Sequence, residues 1–150
     1  MQVSDILRLK GNALYTAAPG HSLWSAVQTM AEHDIGSVVI MEHGALVGML
    51  TFREVINRLH ANGGSVGDGT VGAVMDRHPL TVTTQTDVND LRRVMLERHV
   101  RYLPVVDGAT LAGVISFHDV ARAVVEDQGF ENRMLKAYIH DSPLPESVSG

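Results

Sequence analysis

Two seven-residue stretches carry the chemistry this chain can offer: Gly48-Met49-Leu50-Thr51-Phe52-Arg53-Glu54 and Gly113-Val114-Ile115-Ser116-Phe117-His118-Asp119. In each, apolar residues of strand type lead to a hydroxyl residue, and an acid follows three positions later, where a helical pattern begins. A Ser or Thr at such a junction is an N-cap, and the acid completes a capping box. The same groups suit a nucleotide. A helix start turns free N–H groups and a positive dipole end toward a phosphate, while a carboxylate accepts both hydroxyls of a ribose. The residues alone leave both uses open. A catalytic use would need Ser116, His118 and Asp119 to converge, yet position i+2 of a helix points away from i and i+3. The eight histidines are scattered, with no pair at the i, i+4 spacing of a helical zinc site, so no metal site is expected. No strand-GxxxxGK-helix loop supports nucleotide hydrolysis. The expectation is a chain that is not an enzyme.

Both stretches occupy the same place in an internal repeat. A shift of 65 positions superposes Thr16, Met30, Glu32, Leu46, Gly48, Phe52 and Val55 on Thr81, Met95, Glu97, Leu111, Gly113, Phe117 and Val120. Each copy opens with a short β-prone segment, 14–17 or 80–83. Apolar residues at helical spacing follow: Leu23, Ala26, Val27 and Met30, then Val88, Leu91 and Met95 in the second copy. Next come two apolar runs about a turn, 37–41 and 46–50 flanking Glu42-His43-Gly44, and 103–106 and 111–115 flanking Asp107-Gly108. A second helix covers 52–60 or 117–127.

The fold class is therefore α+β: two β-α-β-β-α repeats, each a small sheet with helices on one face, packed sheet to sheet with pseudo-twofold symmetry. The division reads 1–62 for the first repeat, 63–68 for a flexible glycine-rich linker and 69–127 for the second repeat. Phe130, Met134, Ala137 and Tyr138 mark a further amphipathic helix over 128–141, and Ser142-Pro143-Leu144-Pro145 opens a disordered tail, 142–150.

The element order, repeat length and paired motifs resemble the cystathionine-beta-synthase (CBS) domain family, in which tandem repeats form a Bateman module. The resemblance covers about residues 1–127. Beyond the motifs it rests on Met30-Ala31-Glu32-His33-Asp34-Ile35-Gly36-Ser37-Val38-Val39 and on Met95 through Leu103-Pro104-Val105-Val106-Asp107. It implies a stand-alone regulatory module that binds an adenosine nucleotide, AMP, ADP or ATP, between the repeats and requires no cofactor. Carried over, Asp119 takes the ribose and Ser116 lies by the phosphate, with His118 and Arg101 as cationic candidates. Ala13, Leu14, Ile35, Gly36 and Ser37 of the other repeat form the adenine wall. A second cleft would use Thr51, Arg53 and Glu54 with His78, Pro79, Leu80, Arg101 and Tyr102. Glu54 departs from the family's usual Asp, so the Asp119 cleft is expected to be the tighter. The resemblance also permits a ligand-free dimerisation or docking module for an unidentified protein partner. It implies a homodimer, which the apolar residues Val55, Ile56, Leu59, Val120, Val124 and Val125 would serve.

Composition sets the outer bounds. With 45% hydrophobic and 19% charged residues the chain has the means to fold, and about 70% of its unfolded surface can be buried at this size. No cysteine is present, which removes disulfides, thiolate metal sites and cysteine nucleophiles and suits a reducing compartment; the cytoplasm is the expectation. No run approaches the roughly 18 apolar residues of a membrane span. A net charge of −5 with scattered arginines disfavours nucleic acid as a partner.

Overall fold

The computed structural model describes residues 1–11 and 14–138, with side chains up to residue 127. The elements run α1 (Val3–Lys10), β1 (Thr16–Ala17), α2 (Leu23–His33), β2 (Ser37–Glu42), β3 (Ala45–Thr51), α3 (Phe52–Ala61), α4 (Val71–Val74), β4 (Val82–Thr83), α5 (Val88–Arg98), β5 (Tyr102–Asp107), β6 (Thr110–Ser116) and α6 (Phe117–Tyr138). Each repeat builds one three-stranded sheet, ordered β1-β2-β3 or β4-β5-β6. The first pair in each is parallel and the second antiparallel, with a register irregularity at the matching places Ile40/Met41 and Val105/Val106.

Local chemistry explains why the copies agree. Ser22 caps α2 by accepting from the Ser25 amide, and Asp87, at the equivalent position, caps α5 by accepting from Asn89 and Asp90. Both helices end on a left-handed residue, Asp34 with φ 51° and His99 with φ 54°. The first hairpin turns through His43 and Gly44, both at positive φ, as a two-residue turn of this hand requires. Side chains then alternate across the strands: Val38, Ile40 and Leu50 enter one core, while Val39 and Met49, also buried, face the other way, where β3 approaches β6 of the second sheet. The α+β architecture of two repeats thus matches the reading of the sequence.

The cores cross the order of the chain. Val3 and Ile6 of α1 pack with Val88, Leu91, Met95, Leu103, Val105, Ile115, Val120 and Ala123 of the second repeat. Val71 and Met75, in and after α4, pack with Leu23, Met30, Leu50 and Val55 of the first. Backbone pairing fixes both exchanges, Val3 N to Thr86 O at 2.9 Å and Val71 N to His21 O at 2.9 Å. The repeats are thereby interlocked by two helices, α1 and α4, that stand at the repeat spacing from each other and that the expected β-α-β-β-α unit omits.

Three further differences stand out. The residues between α3 and α4 are tied down, since Arg58 Nε donates to Val66 O at 3.2 Å, Asn62 Nδ2 donates to Ser65 O at 2.9 Å, and Val66 packs on the first core. The helix expected as a separate element over 128–141 is continuous with the one before it, as α6 runs unbroken to Tyr138; Gly129 costs a helix only about 1 kcal/mol and does not end it. The expected helix side chains from Phe130 onward, the end of that helix and the tail 142–150 lie outside the description. Of the six apolar residues assigned to an external face, Val55 and Val120 are core, while Ile56 and Val125 stay exposed at 61% and 67%. Among the described residues no helix is long and apolar enough to cross a membrane.

Candidate functional site

Each motif closes a capping box at the junction of strand and helix. At the head of α3 the Thr51 amide and hydroxyl donate to Glu54 Oε1 at 2.7 and 2.8 Å, and Thr51 Oγ1 accepts from the Arg53 amide at 3.2 Å. At the head of α6 the Asp119 amide donates to Ser116 Oγ at 3.0 Å and the Ser116 amide to Asp119 Oδ2 at 2.9 Å. Both helices start where their repeats face each other, so a cleft opens in front of each.

The larger cleft, about 790 Å³, lies before Ser116. Of the residues assigned to it, Leu14, Ile35, Gly36, Ser37, Arg101, Ser116 and His118 line it together. Ala13 lies outside the described residues. Asp119 does not line this cleft: it faces a separate cavity of about 180 Å³ between α1 and α6. Sequence reasoning missed Lys10, Tyr15, Asp34, Val114, Phe117 and Ala121. Tyr15 is held by stacking on His33, with ring centroids 4.3 Å apart.

The smaller cleft, about 400 Å³, lies before Thr51. Thr51, Arg53, Glu54, Pro79, Leu80, Arg101 and Tyr102 line it together, as assigned, and Phe52, Ile56, Asp76, His99 and Val100 join them. His78 is not part of the wall; its amide is turned to Asp76 Oδ1 at 3.0 Å. Arg101 and Tyr102 line both clefts.

One pair of positions at these clefts differs between the repeats. Where the second repeat has Arg101-Tyr102, the first has Gly36-Ser37, at the repeat spacing of 65. The Tyr102 ring lies over Gly36 so closely that a Cβ there would overlap the Tyr102 hydroxyl. Of these four residues the Thr51 cleft is lined by Arg101 and Tyr102 alone, whereas the Ser116 cleft is lined by all four.

The electrostatics differ as well. Lys10 Nζ donates to Asp119 Oδ2 at 2.7 Å and to Val114 O at 2.9 Å. Burial raises the Asp119 pKa, but the hydrogen bonds from Lys10 and the Ser116 amide outweigh it, and the carboxyl titrates below its ordinary value. Among the described residues Arg53 and Arg101 form no ion pair, which leaves both guanidinium groups available to an anion in the clefts. No three metal-ligating side chains converge among the described residues.

A cleft at the head of a helix, lined by Leu14, Ile35 and Gly36 together with the Ser116 hydroxyl and the Arg101 guanidinium, has the form of a nucleotide site. Comparison with known proteins agrees. The CBS domain profile matches residues 3–61 and again 71–126. The mitochondrial CBS domain-containing protein CBSX3 of Arabidopsis thaliana is 31% identical over 150 residues, which cover 91% of this chain and 71% of that protein. The structure of CBSX2 in complex with AMP is 26% identical, with TM-score 0.70 over 85% of this chain and 98% of its own. The CBS domain pair of protein MJ0100, in complex with 5'-methylthioadenosine and S-adenosyl-L-methionine, is 26% identical, with TM-score 0.74 and the same coverage. With two matched copies of one family and the repeat architecture to go with them, this chain belongs to the CBS domain family.

Proposed function

We propose that the chain is a non-catalytic regulatory module that binds an adenosine nucleotide, AMP, ADP or ATP, in the Ser116 cleft. Adenine would rest on Leu14, Ile35, Gly36 and Ser37, and the phosphate would meet Ser116, His118 and Arg101. One observation supports the reading: a single cleft of about 790 Å³ is lined by those apolar and polar residues from both repeats, within the 300–1,000 Å³ range of small-molecule sites. The adenosine ligands of the similar CBSX2 and MJ0100 structures support it. The test is thermal unfolding with and without AMP, ATP and S-adenosylmethionine, since a ligand at 100 times its Kd stabilises the folded chain by about 2.7 kcal/mol. A melting temperature unmoved by all three contradicts the proposal.

A second reading, a ligand-free dimerisation or docking module, draws on the fact that both motif acids already have partners at the helix heads. The exposed Ile56 and Val125 would then lie in a homodimer interface. Sedimentation of a monomer at micromolar concentration contradicts the homodimer.

A further inference from the structure

We infer that Lys10 is a specificity-determining latch on the Ser116 cleft: its ammonium holds Asp119 Oδ2, and a ribose must displace it to be read by both carboxylate oxygens. The inference rests on the adenosine reading above and deepens it by naming the residue that sets affinity and ribose selectivity.

Lys10 is the last residue of α1, and Gly11 at φ 90° ends the helix directly after it. Val3 and Ile6 anchor α1 in the second core, so the backbone beneath Lys10 is fixed. Its ammonium reaches Asp119 Oδ2 at 2.7 Å, an oxygen that also receives the Ser116 amide at 2.9 Å. Lys10 lines both the Ser116 cleft and the small cavity between α1 and α6, whereas Asp119 lines only the small cavity. Lys10 therefore borders both spaces, and its ammonium occupies an oxygen of a carboxylate that does not itself line the larger cleft. A neutral hydroxyl is a weaker donor to a carboxylate than an ammonium already in place. Ribose and deoxyribose should consequently be told apart poorly while Lys10 holds.

The first repeat has no such device. Met75 stands at the equivalent position, 65 residues on, and its side chain is buried at 8% exposure in the first core. Lys10→Met thus gives the second repeat the first repeat's residue, and Lys10→Gln removes the charge while keeping a polar end.

The experiment titrates the parent, Lys10→Met, Lys10→Gln and the double variant Lys10→Met/Asp119→Asn with AMP and with 2'-deoxy-AMP by calorimetry, with melting curves to confirm folding. Removing one partly exposed ion pair should tighten AMP binding about fivefold in both single variants and raise the preference for AMP over 2'-deoxy-AMP. The double variant should lose both gains, because they run through Asp119. If the parent binds AMP and the single variants bind it equally or more weakly, the latch is overturned and the proposed function stands. If no protein binds AMP, the adenosine reading fails and the latch fails with it.

Discussion

The two helix heads of this chain share a motif, a cap and a place in the fold, yet they face different clefts. Thr51 and Glu54 look into about 400 Å³ lined by Arg101 and Tyr102, and Ser116 looks into about 790 Å³ lined by those two and by Gly36 and Ser37. The shared motif places a capped helix head at each cleft, and residues of the facing repeat set the two clefts apart. The acids differ too: Glu54 folds onto its own cap, whereas Asp119 is shared between its cap and Lys10.

The largest expected effect contrasts matching glycines. A Cβ on Gly48 would lie 2.6 Å from Met75 Sδ and 2.7 Å from the Asp76 carbonyl, which is paired to Met49, so Gly48→Ala must move backbone and should cost about 3 kcal/mol. A Cβ on Gly113 would lie 3.1 Å from Leu7 Cδ2, the end of a flexible side chain, and Gly113→Ala should cost about 1 kcal/mol or less. Urea denaturation of both variants checks this. Equal costs would mean that the exchanged helices α1 and α4 do not grip the two sheets differently.

Next in size are the cations. Arg101→Ala should weaken AMP binding roughly tenfold or more, the worth of a hydrogen bond between charged groups, because Arg101 lines both clefts. His118→Ala should weaken only the Ser116 cleft, and Arg53→Ala only the Thr51 cleft. Calorimetry with AMP separates the three. Unchanged affinity in Arg101→Ala would remove that guanidinium from the account. The caps should be more alike: Thr51→Ala and Ser116→Ala should each lower stability by about 1 kcal/mol in denaturant melts.

The smallest effect is acid sensitivity. Asp119 titrates below its ordinary value of 3.8 when folded, so its contribution to stability is full above that value. As the pH falls further, the unfolded chain takes up the proton first, and the contribution fades until the folded carboxyl is protonated as well. Stability measured at pH 5 and pH 3 should therefore drop further in the parent than in Lys10→Met. An equal drop would mean that Lys10 does not hold the carboxylate.

Much of this was legible in the sequence, because strand alternation, helical spacing and turn residues are local and occur twice. The assigned members of both clefts mostly meet: only His78 and Asp119 stand off the walls, and Ala13 is outside the description. What the pattern hid was tertiary. Val3, Ile6 and Leu7 have the i, i+3, i+4 spacing of a helix face, a signal for α1 that was available, but nothing local tells that this face belongs to the second core. Lys10 follows from that docking, since its partner lies 109 residues away. The overlap of Tyr102 with Gly36 is likewise a contact between repeats, invisible to spacing within either one.

The most direct test of the central claim maps backbone amide shifts while AMP is added to the parent protein. The account predicts saturable shifts concentrated at Ile35, Gly36, Ser37, Ser116 and His118, on both walls of the larger cleft. Shifts confined to Thr51, Arg53 and Glu54, or none at saturating AMP, would contradict it.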